Sequence, residues 1–178
     1  MYSGNFEPYQ GVELFVDAAS RVPDVQLLLM GGEQAEIAAL RERAVGGGAG
    51  GRCVFSGKRP PADLPAFLAL ASVVVSPRLR GANTPFKLYT YLASGKPVVA
   101  TRIPSHTQLL DDSLAFLVDP TPEGVAHGIR QALAEPDEAA RRARRGLELI
   151  ERDYSAARHA EKVRDAYLAV TAVVAQGR

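Results

Sequence analysis

Short apolar runs alternate with helical patterns along most of this chain, and that rhythm restricts the fold more than any other feature. Residues 25–30 (VQLLLM) are almost wholly apolar and end at Gly31-Gly32, as expected of a strand buried on both faces. Residues 1–4, 53–55, 73–75, 98–100 and 115–118 repeat the theme, and residues 12–19, 34–44, 63–71 and 85–93 between them carry helical spacing. Short connections between such units predict a parallel sheet covered by helices on both sides. After residue 118 only helices are expected. Thr121 caps one that starts at Pro122, buries Val125, Ile129, Ala132 and Leu133, and is stopped by Pro136. Residues 137–152 form a second with a charged outer face. Ser155 caps a third, with an apolar seam of Ala160, Val163, Tyr167, Val170 and Val174.

Composition narrows the function classes. Of 178 residues 47% are hydrophobic, and 21 Lys+Arg against 20 Asp+Glu leave a net charge of +1. So weak a field argues against nucleic acid as a partner. The single cysteine, Cys53, excludes an intramolecular disulfide and a cysteine-based metal site, and it fits a reducing, cytoplasmic setting. In the run Cys53-Val54-Phe55 it reads as a small buried core residue. No stretch has the length to cross a bilayer, and no signal-peptide pattern opens the chain. A chain that begins directly on a strand is expected to be a fragment of a longer one.

The chemistry concentrates in residues 76–101, SPRLRGANTPFKLYTYLASGKPVVAT. A Pro- and Gly-punctuated loop leads into an amphipathic helix, with Asn83 or Thr84 as the expected N-cap and Pro85 as the first helical residue. The free amides at such a start attract anions. Lys87 falls in the first turn, where a cation opposes the helix dipole unless an anion sits nearby. Thr90 is spaced either to reach a ligand hydroxyl or to be a plain surface threonine. Ligands of open parallel sheets bind at the carboxyl ends of the strands, near the point where strand order reverses. That rule brings in Gly4-Asn5, Gly31-Gly32 and Lys58-Arg59. The glycines there admit close approach of a ligand or simply make tight turns.

Other residues read more plainly. The glycine-rich run 46–51 follows a helix and precedes a strand, the reverse of a phosphate loop, and is a flexible connection. Arg141, Arg142, Arg144 and Arg145 share their turns with Glu138, Glu148 and Glu151, which describes a solvated helix face. His127 and His159 lack metal-ligand spacing. His106 follows the fifth strand and so lies at the ligand edge, where a locally bonded loop histidine is the stronger reading. No zinc-like spacing and no nucleophile elbow occurs.

Three segments in this order and spacing carry a family resemblance: Gly4-Asn5-Phe6-Glu7-Pro8-Tyr9-Gln10-Gly11-Val12-Glu13-Leu14, Leu27-Leu28-Leu29-Met30-Gly31-Gly32, and residues 76–101. They resemble the C-terminal donor-binding domain of a GT-B glycosyltransferase of the retaining family 4, the glycosyl transferases group 1. Gly95-Lys96-Pro97-Val98-Val99-Ala100-Thr101 is similar to the family's G-x-P-V-V-A-T, and residues 106–118 with Asp119-Pro120 are similar to its short helix and following strand. The resemblance covers essentially the whole chain. It implies an α/β fold: a Rossmann-like doubly wound parallel sheet of about six strands with helices on both faces and a helical C-terminal tail. Residues 1–178 would form a single nucleotide-sugar-binding domain. The acceptor would be held by a separate N-terminal domain outside these residues, toward which the closing helix returns and through which peripheral membrane contact would come.

The resemblance implies a nucleotide-diphosphate sugar as substrate and no metal cofactor. The donor diphosphate would lie at Gly4, Asn5, Asn83, Thr84, Phe86 and Lys87, the ribose at Thr90, and the base between Lys58 and Arg59. The chain also departs from the family. Asn5 and Gln10 stand where an arginine and a lysine usually neutralise the diphosphate, and Ala82 and Thr90 replace two glutamates. Charge-assisted bonds are the strong ones, so the site needs other cations. Lys87, Arg78 and Arg80 are available, and Thr84-Pro85-Phe86-Lys87 is similar to a branch of the family with P-x-K ahead of this helix. The expected function is the donor half of a glycosyltransferase in polysaccharide or glycolipid assembly. The alternatives are a non-catalytic nucleotide-binding module with a decayed donor site and a GT-B nucleotide-sugar 2-epimerase. The donor-site expectation fails if side chains plug the crevice beside Gly4 or if Lys87 turns away from it.

Overall fold

A computed structural model describes residues 1–176, without the side chains of 156, 159 and 169–176. Six strands form: β1 (Tyr2–Ser3), β2 (Leu27–Met30), β3 (Cys53–Gly57), β4 (Val74–Ser76), β5 (Val98–Thr101) and β6 (Phe116–Val118). All pairings are parallel, in two ladders, β1-β2-β3 and β4-β5-β6. The Val75 amide donates to Met1 O at 2.8 Å and the Met1 nitrogen to Val73 O at 2.7 Å. The ladders therefore abut edge to edge in the order 3-2-1-4-5-6. The join does not continue, because the Ser3 amide donates to the Tyr91 hydroxyl at 2.8 Å instead of to β4. This seam is where strand order reverses.

The helices are α1 (Val12–Ala18), α2 (Gln34–Gly46), α3 (Leu64–Leu70), α4 (Phe86–Ala93), α5 (Pro104–Thr107), α6 (Pro122–Ala134), α7 (Pro136–Asp153) and α8 (Ala156–Gln176). Strand side chains alternate between two cores. Leu27, Leu29, Val75 and Val99 pack with α1, α2 and α6, whereas Leu28, Met30, Val74, Val98 and Ala100 pack with α3, α4 and α7. Burial on both faces explains why these strands read as uninterrupted apolar runs.

Several expectations need correction. Leu133 is exposed, while Val125, Ile129 and Ala132 are buried. Arg142 is not part of a solvated face: its guanidinium lies 4.2 Å from the Phe116 ring centroid and donates to Ala115 O at 2.8 Å. Arg141, Arg144 and Arg145 are exposed as expected. Ser155 does cap α8, its Oγ accepting the Arg158 amide at 3.3 Å. Ala160, Val163 and Tyr167 nevertheless stay exposed, and among the described elements α8 packs chiefly on α7. The side chains of His159, Val170 and Val174 lie outside the described residues.

Candidate functional site

The carboxyl ends of β1 to β3 finish in a row of glycines. The Gly4 amide donates to Met30 O at 3.0 Å and the Gly31 amide to Gly57 O at 2.9 Å, which carries the ladder one step past the strands. Gly31 has φ +127°, and a Cβ there would collide with the Gly4 carbonyl. Gly4 has φ +141°, and a Cβ would lie 2.8 Å from Lys87 Nζ. Both positions need glycine, for backbone conformation and for close approach. The Tyr2 hydroxyl donates to Asn5 O at 2.6 Å and fixes the turn that follows.

Across the seam, the β4–α4 loop is pinned from below. The buried His106 ring donates from Nδ1 to Thr101 O at 2.7 Å, and its Nε2 accepts from Ser76 Oγ at 3.0 Å. Thr101 Oγ1 in turn donates to Arg78 O. Burial first, then the charges of Arg78 and Lys87, push His106 down to about 4, so the ring is neutral. His106 is thus the locally bonded histidine, not a ligand contact.

The helix after this loop begins later than its capping residues suggest. Pro85, with ψ 131°, is the N-cap, and no side chain caps α4. Asn83 and Thr84 are drawn elsewhere. Asn83 O accepts from Arg78 Nη1 at 3.3 Å, and Thr84 Oγ1 donates to Gln108 Oε1 at 2.9 Å. The amides of Phe86 and Lys87 precede the first intrahelical bond and are the ones free to meet an anion. The start of α2 offers nothing comparable, since Glu36 Oε2 already accepts the Glu33 amide at 2.6 Å and brings negative charge.

Lys87 points into the crevice. Its Nζ stands 4.0 Å from the Tyr2 ring centroid and donates to Gln10 Oε1 at 3.1 Å. Gln10 is buried, so the residue that replaces a family cation serves to hold another one. Desolvation and then Arg78 push Lys87 down to about 7. The buried Arg78 donates to Arg80 O at 2.9 Å and lies 5.2 Å from the Tyr9 ring centroid. Among the described residues neither Lys87 nor Arg78 is paired with a carboxylate.

These elements enclose a cleft of about 480 Å³. Gly4, Asn5, Gly31 and Gly32 form its floor, Lys58, Arg59, Pro61 and Leu64 one wall, and Phe86, Lys87 and Thr90 the other. Among the described residues no carboxylate lines it. The arrangement therefore brings together Gly4, Asn5, Lys58, Arg59, Phe86, Lys87 and Thr90 of the expected site, and leaves out Asn83 and Thr84. Lys58 is ion-paired with Glu33, whereas Arg59 forms no ion pair among the described residues. Tyr2, Pro61 and Leu64 had no signal in the sequence beyond their place at strand and helix ends. A cavity of about 470 Å³ at the amino ends of the strands, lined by Asp24, Leu27 and Val73 among others, lies on the wrong edge for a parallel-sheet ligand site. Among the described residues no three His, Cys, Asp or Glu side chains gather to hold a metal ion, and no helix is long and apolar enough to cross a membrane.

A doubly wound parallel sheet with a glycine-floored, cationic cleft at its point of reversal is the architecture of one half of a GT-B protein. The profile of the Glycosyl transferases group 1 family matches residues 1–135, and the chain belongs to that family. It is 31% identical over 177 residues to the lipopolysaccharide core biosynthesis glycosyltransferase LpsE of Rhizobium meliloti, covering 97% of this chain and 49% of LpsE. It thus spans about half the length of that curated relative. HepE of Anabaena, solved in complex with UDP, superposes with a TM-score of 0.84 at 21% identity over 94% of this chain and 48% of HepE. Sucrose-phosphate synthase of Thermosynechococcus elongatus gives 0.85 at 23% identity, covering 97% of this chain and 45% of that one. The C-terminal domain of LpcC, a glycosyl transferase group 1 family protein of Francisella tularensis, gives 0.75 at 17% identity and covers 87% of this chain and 86% of that domain. At these identities the structural likenesses establish the fold.

Proposed function

We propose that residues 1–178 are the donor-binding half of a retaining glycosyltransferase that uses a nucleotide-diphosphate sugar, in polysaccharide or glycolipid assembly in the cytoplasm. The observation that carries this reading is Lys87, a half-buried ammonium without a carboxylate, beside the Gly4 backbone and the start of α4. A pyrophosphate there would accept from the Phe86 and Lys87 amides and from Lys87 Nζ. When the bond from the sugar C1 to the phosphate oxygen breaks, its electron pair leaves on the nucleoside diphosphate. The same donors would stabilise that growing charge. Thr90 would meet the ribose, and Lys58 and Arg59 would flank the base. No step needs a metal ion. The acceptor would come from a partner half of similar size, in keeping with the 49% coverage of LpsE and the 86% coverage of the separate LpcC domain. UDP in HepE supports a nucleotide ligand for this fold.

Uncharged Asn5 and Gln10 favour a second reading, a nucleotide module whose donor site has decayed. Calorimetric titration with UDP, GDP and ADP separates the two. We expect one of them to bind, and Lys87→Ala to weaken it at least tenfold while leaving the free nucleoside nearly unaffected. Absence of heat and of amide shifts at millimolar ligand would favour the decayed site.

A further inference from the structure

The lining of the cleft is of two chemical kinds. Gly4, Gly31 and Lys87 are polar or cationic and adjoin one another, whereas Pro61, Leu64 and the Phe86 ring are apolar, with Arg59 also in the lining. Phe86 and Lys87 are consecutive on α4, so their side chains leave the helix about 100° apart. Lys87 turns inward onto Tyr2, while Phe86 is 83% exposed. A lone surface phenylalanine needs no explanation. This one lines a cleft together with two apolar side chains, and its ring partner among the described residues, Tyr89, is 6.2 Å away and tilted by 46°. One ring face is therefore left to a ligand. A nucleoside diphosphate combines the same two chemistries, a charged end and a flat base with weakly hydrated faces.

We infer that the Phe86 ring is a stacking platform for the nucleobase of the donor, with the unpaired Arg59 guanidinium on the facing wall. This rests on the donor-site reading and adds a positioning residue to it. Phe86 sets where the base lies, and through the rigid start of α4 it fixes the distance from base to pyrophosphate. Stacking is tolerant of base identity, so Phe86 supplies affinity, and the choice among bases falls to hydrogen bonds from the β3–α3 side.

The protein contains no tryptophan, so Phe86→Trp places a single indole reporter at the rim. UDP, GDP, ADP and inorganic pyrophosphate are titrated against it by fluorescence, and against the unaltered chain, Phe86→Ala and Phe86→Leu by calorimetry. The expected result is that a nucleoside diphosphate quenches the indole and pyrophosphate does not. Phe86→Ala should bind that nucleotide about tenfold more weakly, with unchanged pyrophosphate affinity, and Phe86→Leu should recover only part of the loss because it is apolar but not planar. Unchanged nucleotide affinity in Phe86→Ala, or an equal loss for pyrophosphate, overturns the platform alone. Failure of the unaltered chain to bind either ligand overturns the donor site and the platform with it.

Discussion

Lys87 meets three influences that disfavour its charge: desolvation, the nearby Arg78, and the positive end of the α4 dipole. The first two bring it to about 7, against 10.5 for a free lysine. Between those values the unfolded chain binds more protons than the folded one, so stability rises with pH across that window. Lys87→Met should therefore raise the ligand-free melting temperature at pH 7, flatten its rise toward alkaline pH, and abolish diphosphate binding. Thermal melts across this range check it, and a variant that melts lower would refute the account. Bound diphosphate would return Lys87 to the ammonium form, so affinity should fall as pH rises above about 7. Calorimetry in buffers of differing ionisation heat should then register proton uptake. The composition hinted at this residue through its position in a helical first turn. It could not show Gln10 holding it, because 77 residues separate the pair and no local pattern spans them.

At the level of elements, strands and helices were readable because two-sided burial makes strands apolar throughout and leaves helices with one apolar stripe. The start of α4 was not. Asn83 and Thr84 are good capping residues in isolation, but Pro85 biases Thr84 toward extended backbone, the Thr84 hydroxyl is bonded to Gln108, and the Asn83 carbonyl is held by Arg78. The seam of α8 shows a different limit: an amphipathic pattern specifies an apolar face without specifying what covers it. The strand-end glycines behaved as their spacing suggested. Gly31→Ala combines a φ of +127° with a clash against Gly4. It should destabilise the fold by about 2 kcal/mol and, by displacing Gly4 from Lys87, weaken diphosphate binding. Urea unfolding and calorimetry on the same sample test both effects, and a neutral substitution would show that the elbow can relax.

For the molecule as a whole, the sheet is two ladders joined near their amino ends and parted at the Tyr91 hydroxyl. The parallel layer was foreseeable, whereas the parting was not, since it depends on one phenol reaching a strand 88 residues away. Burial pushes that phenol up to about 12, so it remains a neutral donor and acceptor. Tyr91→Phe strands the Ser3 amide inside the protein and should cost about 1–3 kcal/mol in equilibrium unfolding; a loss near zero would mean that β1 closes onto β4 instead. The parting also gives a bound nucleotide a mechanical part to play. A pyrophosphate reaching from Gly4 to the first turn of α4 would suture the two half-sheets where their own backbone does not, and deuterium uptake at the Ser3 and Val75 amides would slow as the stitch is made.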